Sequence, residues 1–193
     1  MCEIFGNFME MGETQEYLII SFSSNTLPVR ECWRNNGLSA NFLAEYWGTF
    51  FPVSNTLSQN RQLEIRDAVS YIANELLENA VKFSHEISKH TIKVGLYLSH
   101  NEIRFYVTNS INPQTVGQFQ HFIRELLTGD TDELYIRQLE KNADDETDSE
   151  SRLGFLTILN DYDALLAWKF ETIQQYPRIL LITTMVQLDI VRI

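Results

Sequence analysis

The 193 residues suit one domain with a substantial core, and 44% hydrophobic with 12% aromatic content excludes a disordered chain. Fifteen basic against 26 acidic residues give a net charge of −11, which argues against nonspecific binding to nucleic acid or to an anionic membrane surface. Cys2, Cys32 and four scattered histidines offer neither zinc-ligand spacing nor a disulfide framework, and without a membrane-length apolar run or a signal-peptide pattern the chain reads as cytoplasmic.

In chain order, residues 1–15 form an N-terminal segment to which no function is assigned. Glu16 to Ser23 (EYLIISFS) is β-rich with partial alternation and predicts the first strand. Leu38, Phe42, Leu43, Tyr46, Trp47 and Phe50 recur at helical spacing, which predicts a helix from Ser39 or Asn41 to just before Pro52, its aromatic stripe in the core. A long helix is predicted over Gln59–Ser84, with Ile65, Val69, Ile72, Leu76, Ala80 and Phe83 as its buried stripe. Thr91–Ser99 and Glu102–Asn109 predict two strands closed at His100-Asn101 into a tight hairpin. In the first of these, Ile92, Val94, Leu96 and Leu98 are expected to face the core, and Lys93, Gly95 and Tyr97 to face away. Helices are expected over Val116–Leu127 and, more weakly patterned, Asp132–Leu139. Glu140–Glu150 (EKNADDETDSE) carries six acids and one lysine and predicts a solvated loop. A short helix over Leu153–Leu159 follows, then strands over Ala164–Thr172 and Ile179–Leu188 that turn at Tyr176-Pro177. With no internal repeat or clear linker, this order predicts a single-domain α/β sandwich, a mixed, mostly antiparallel sheet with helices packed on one face.

The string Asn74-Glu75-Leu76-Leu77-Glu78-Asn79-Ala80-Val81-Lys82-Phe83-Ser84 closes the long helix. At about 100° per residue, Glu75, Asn79 and Lys82 fall within roughly 60° of one another, beside the apolar stripe. Such groups either form a solvated face or line a cleft. A Glu and an Asn one turn apart can position a water and a hydrated magnesium ion, because Mg²⁺ takes few protein oxygens, and a lysine one turn further reaches a phosphate.

This string resembles the N box of the histidine-kinase-like (GHKL) ATPase fold, shared by gyrase, the ninety-kilodalton heat-shock chaperones, histidine kinases and mismatch-repair ATPases. It stands here as Glu75-Leu-Leu-Glu-Asn79-Ala80-Val-Lys82-Phe83-Ser84, directly before a hairpin as in that family. The resemblance implies that Asn79 holds magnesium, that Glu75 orients or deprotonates the attacking nucleophile, and that Lys82 steadies a phosphate of ATP. The second landmark of the family, Asp-x-Gly-x-Gly, is replaced by Asn109-Ser110-Ile111-Asn112-Pro113. Asn109 keeps an acceptor oxygen for an adenine amino group, or simply ends the strand in an Asx turn. The third, Gly-x-Gly-Leu after the ATP lid, reads Arg152-Leu153-Gly154-Phe155-Leu156. Gly154 would let phosphate approach a helix N-terminus, and Arg152 would bind phosphate or pair with the acids of the lid, residues 140–152.

Size and the stand-alone domain are similar to the anti-sigma serine kinases of bacterial partner-switching systems, especially the SiaB-like protein kinases. That resemblance implies an ATP- and magnesium-dependent serine/threonine kinase or kinase-like switch acting on a small antagonist-type regulatory protein. It also implies a homodimer, the common state of the anti-sigma kinases, while the net charge of −11 predicts no nucleic-acid or membrane partner. The competing expectation is a degenerate, non-catalytic member of the fold that works as a protein-interaction module. A kinase requires Glu75, Asn79 and Lys82 to face one vacant, nucleotide-sized pocket. A degenerate binder would show it filled by Phe155, Tyr162 or another large side chain.

Overall fold

A computed structural model of the chain describes residues 2–10, 16–22, 37–50, 59–85, 90–144 and 153–191. Six strands form its sheet: β1 (Cys2–Phe5), β2 (Glu16–Phe22), β3 (Ile92–Leu98), β4 (Glu102–Ile111), β5 (Leu165–Gln174) and β6 (Ile179–Asp189), in the spatial order β1-β5-β6-β4-β3-β2. Among the described residues five helices accompany them: α1 (Gly37–Phe50), α2 (Gln59–Lys82), α3 (Val116–Thr128), α4 (Thr131–Asp144) and α5 (Leu153–Tyr162). The α/β architecture follows the expectation. The sheet, expected to be mixed and mostly antiparallel, is antiparallel at every described pairing. The helical excursion from β4 to β5 does leave those two strands parallel, as a crossover should. Strand β6 then inserts between them and reverses both neighbours.

The predicted hairpin closes where Ser99 N–H donates to the Glu102 carbonyl at 3.0 Å. Alternation puts Ile92, Val94, Leu96 and Leu98 of β3, Ile103, Phe105 and Val107 of β4, and Leu180, Ile182, Val186 and Leu188 of β6 in one core. Eight residues of α2 cover that face, including Ile65, Val69, Ile72, Leu76 and Ala80 of the predicted stripe. Each larger aliphatic side chain so buried contributes roughly 1.5–3 kcal/mol. The last member of the stripe, Phe83, lies past the helix end and stays 36% exposed.

Helix α1 divides its aromatics. Ala40, Leu43, Ala44 and Trp47 are buried, whereas Phe42 is 49% and Phe50 40% exposed. Phe42, Tyr46 and Phe50 stack along the outer side with centroid spacings of 6.4 and 4.9 Å. Residues four apart share one helix face, so one aromatic row cannot serve both sides.

Helix α4 runs to Asp144, so the start of the acidic stretch expected as loop from Glu140 is helical; residues 145–152 lie outside the described residues. Its beginning is well specified. Asp130 Oδ1 accepts the N–H groups of Asp132 (3.0 Å) and Glu133 (3.2 Å), an N-cap with two acids in the first turn of the helix dipole.

The opposite face of the sheet is partly covered too. Strand β1, absent from the sequence expectation, pairs with β5 at the sheet edge. Gly6 then turns the chain at φ +74°, where a Cβ would stand 2.7 Å from the Leu166 carbonyl oxygen. Phe8 and Met9 come to rest over Tyr106 and Met185, and Tyr106 Oη donates to the Met9 carbonyl at 2.8 Å. Gly95 and Tyr97, expected on an exposed face, are buried with them.

Candidate functional site

Steps of three and four along the end of α2 turn Leu76, Asn79, Ala80 and Phe83 to one side, where they wall a cleft. Val107, Asn109 and Ile111 of β4 and Ile182 and Thr184 of β6 form the floor. Thr115, Gln118 and Phe119 at the start of α3 and Phe155 of α5 close the far side. The cleft encloses about 90 Å³ and opens to solvent at its mouth. The end of α2 is tied to the floor by a bridge between Ser84 and Ile111 and by His85 N–H donating to the Ser110 carbonyl at 3.1 Å.

Polar groups are few in this lining and largely without partners. Asn109 is 6% exposed, and its carboxamide nitrogen donates to the Ser110 carbonyl at 3.0 Å. Its oxygen accepts nothing among the described residues and remains the group available to a ligand. Thr184, 7% exposed, shares the floor. Because Asn109 pairs with Ile182 and Val107 with Thr184, the two polar residues are diagonal neighbours, about 7–8 Å apart for such positions. Asn79 lines the wall, and like Thr184 its side chain has no hydrogen bond to the described residues. The oxygens of Asn109 and Thr184 are open to the cleft and not sealed from water, so they offer an acceptor and a hydroxyl to whatever enters it.

The other sequence-expected site residues are placed differently. Glu75 does not line the cleft. Its carboxylate lies against Gly154 in the first turn of α5, where a Cβ would fall 1.9 Å from Glu75 Oε2. Gly154 is buried and makes room for this carboxylate. Lys82 is exposed, with its ammonium 5.3 Å from the centroid of Phe83, a surface cation–π contact at the rim. Glu75, Asn79 and Lys82 therefore do not face one pocket. Arg152 lies outside the described residues. Of the side chains expected to fill a degenerate site, Phe155 lines the cleft, and Tyr162 packs on Tyr71 with ring centroids 5.4 Å apart. Among the described residues no cluster of three or more His, Cys, Asp or Glu is arranged to hold a metal ion. No helix among them is long and apolar enough to cross a membrane.

Burial, with the charge of Glu78 adding to it, raises the Glu75 carboxyl above its ordinary value of 4.5. The folded protein therefore keeps this proton to higher pH than the unfolded chain. The contribution of Glu75 to stability is complete below about pH 4.5 and is lost as pH rises through the folded pKa. Glu75→Gln, uncharged at every pH, should raise Tm at about pH 7 and leave it nearly unchanged at about pH 4. Thermal melts at the two pH values check this, and equal shifts at both would refute it.

Set beside known proteins, the chain matches no family model and no curated sequence.

Proposed function

We propose that the cleft holds an adenine nucleotide and that the chain is an ATP- and magnesium-binding regulator of the serine/threonine-kinase-like type, acting in a partner-switching system. The observation that carries this reading is the unpaired Asn109 oxygen beside the Thr184 hydroxyl, on an apolar floor beneath the helix of the N box. An acceptor and a hydroxyl at one end of an apolar slot suit a planar base with an exocyclic amino group. Asn79 fits one coordination position of a magnesium ion that takes its remaining ligands from water and phosphate. Bound there, the ion would supply charge neutralisation to the phosphates. Glu75 and Gly154 adjoin the cleft through Leu76 and Phe155, their neighbours in α2 and α5. In the kinase reading Glu75 serves as base toward a serine or threonine of a small antagonist protein, whose binding surface the new charge would disrupt.

The second reading, a non-catalytic interaction module of the same fold, is favoured by one specific arrangement. Glu75 is turned onto Gly154 and Lys82 onto Phe83, so neither points its charge into the cleft.

Calorimetric titration with ATP and ADP, with and without magnesium, tests the nucleotide reading. Binding is expected in the micromolar range, and Asn79→Ala should remove the magnesium-dependent part of the affinity while leaving the rest. No heat of binding at millimolar nucleotide would overturn it. Phosphate transfer to a serine-bearing partner, abolished in Glu75→Gln, would separate kinase from module.

A further inference from the structure

Residues 2–10, to which no function is assigned from sequence, hold the molecule on both faces of the sheet. On the face that carries the main core, β1 grips α3. Glu3 Oε2 accepts from the Gln120 carboxamide nitrogen at 2.9 Å, and the Arg124 guanidinium lies 5.2 Å from the centroid of the Phe5 ring. That ring meets Phe170 edge-on at 5.5 Å, and Phe170 stands 6.3 Å from Phe119, which lines the cleft. Beyond Gly6 the chain passes to the opposite face, where three contacts pin it. Tyr106 Oη donates to the Met9 carbonyl, Met9 N–H donates to the Met185 sulfur at 3.4 Å, and Lys169 Nζ pairs with Glu10 Oε1 at 2.8 Å.

The grip falls where the core anchors α3 least. The buried residues of that helix are Phe122, Ile123 and Leu126, all past its first turn. Gln118 and Phe119, which wall the cleft, precede them, and Gln120 comes next. The tie from Gln120 to Glu3 is exposed, as are Cys2, Glu3 and Ile4 of the strand, so this edge can open without the rest of the fold. Gly6 fixes the crossing, because its φ of +74° and a Cβ 2.7 Å from the Leu166 carbonyl oxygen exclude a side chain there.

We infer that residues 2–10 are a clasp that positions the α3 wall of the cleft: seated, they hold the start of α3 against β5, and detached, they leave that wall loose. Phe5 is the positioning residue and acts on Phe119 through Phe170. Whatever draws this segment off the sheet reshapes the cleft without entering it. The clasp serves whichever ligand the cleft takes, since α3 walls it in either reading.

Amide order parameters of the native chain, measured by NMR relaxation, test this, because loss of global stability alone does not move them. In Gly6→Ala and, separately, Phe5→Ala, the amides of Gln118, Phe119 and Gln120 are expected to fall from about 0.85 to below about 0.6, while those of α2 from Ile65 to Leu76 stay near about 0.85. Ile4→Ala, at an exposed position of the same strand, should change neither. Coupling is mutual, so Arg124→Ala, at the exposed surface of α3, should loosen the amides of Phe5 and Met9 in return. Rigid amides at 118–120 in both clasp variants would overturn the inference, and so would an equal fall in α2, which marks a general loosening. Phe5 and Met9 unmoved by Arg124→Ala would overturn the coupling to α3. Ile4→Ala acting as strongly as Phe5→Ala would overturn the role given to the Phe5 ring.

Discussion

Trp168→Ala lowers the stability of the fold by about 3–5 kcal/mol, measured as the free energy of urea unfolding at unchanged slope. Trp168 is wholly buried in β5, in register with Phe5 of β1 on one side and Thr184 of β6 on the other. Its ring meets Phe155 edge-on at 5.7 Å, and Phe155 is a wall of the cleft. Truncation removes the surface on which that wall leans, so the site loosens together with the core. The indole nitrogen has no hydrogen-bond partner among the described residues. The ring therefore acts by volume and not by its N–H, and Trp168→Phe should cost less than about half of the alanine loss. Equal losses for Ala and Phe would show that the indole N–H has a partner after all.

Helix α2 and the hairpin after it were legible because each obeys a local rule. A 24-residue helix with apolar residues at steps of three and four has one packing solution, and alternation over β3 and β4 fixes which side faces it. Asn79 stood out by its place on the helix edge, whereas Asn109 was pointed to only by the resemblance of its segment to a nucleotide-binding landmark; both line the cleft. Thr184 carried no local mark, since Thr183-Thr184 reads as ordinary strand sequence. Only the insertion of β6 between β4 and β5 brings Thr184 beside Asn109, while Thr183 turns to the other face and pairs with Thr108 at 2.9 Å. Angular position on α2 places Glu75, Asn79 and Lys82 near one another, but only Asn79 lines the cleft, because angle does not decide reach. The helix stops at Lys82, whose side chain folds onto Phe83, and the missing Cβ of Gly154 draws the Glu75 carboxylate toward α5. Strand β1 escaped notice for a different reason. Its four residues leave Cys2, Glu3 and Ile4 exposed, so there is no buried periodicity to read, and only Phe5 anchors it, against Phe170 at 5.5 Å.

Asn109→Leu reduces adenine-nucleotide affinity by about tenfold to a hundredfold while leaving the protein at least as stable as before. The two effects separate because the Asn109 oxygen opens into the cleft and takes no part in a hydrogen bond with the described residues, so the fold does not depend on it. Leucine of similar size keeps the floor packed and forgoes only the bond to the Ser110 carbonyl, whereas a bound base loses the acceptor for its amino group and leaves that group unpaired. Asn109→Asp sharpens the argument, because the resemblance to nucleotide-binding domains with aspartate at this place would make it an improvement. In this chain the same substitution sets a carboxylate oxygen against the Ser110 carbonyl, which now accepts from the carboxamide nitrogen at 3.0 Å, in a cleft whose described lining has no cation. The buried acid is expected to take up a proton to escape this repulsion, so the variant should lose stability at neutral pH and regain it as the solution is acidified. Calorimetric titration beside thermal melts at two pH values measures all three quantities. An aspartate variant that binds nucleotide more tightly and melts no lower at neutral pH would mean that the carboxamide has no orienting role, and that an aspartate serves this place as it does in those nucleotide-binding domains.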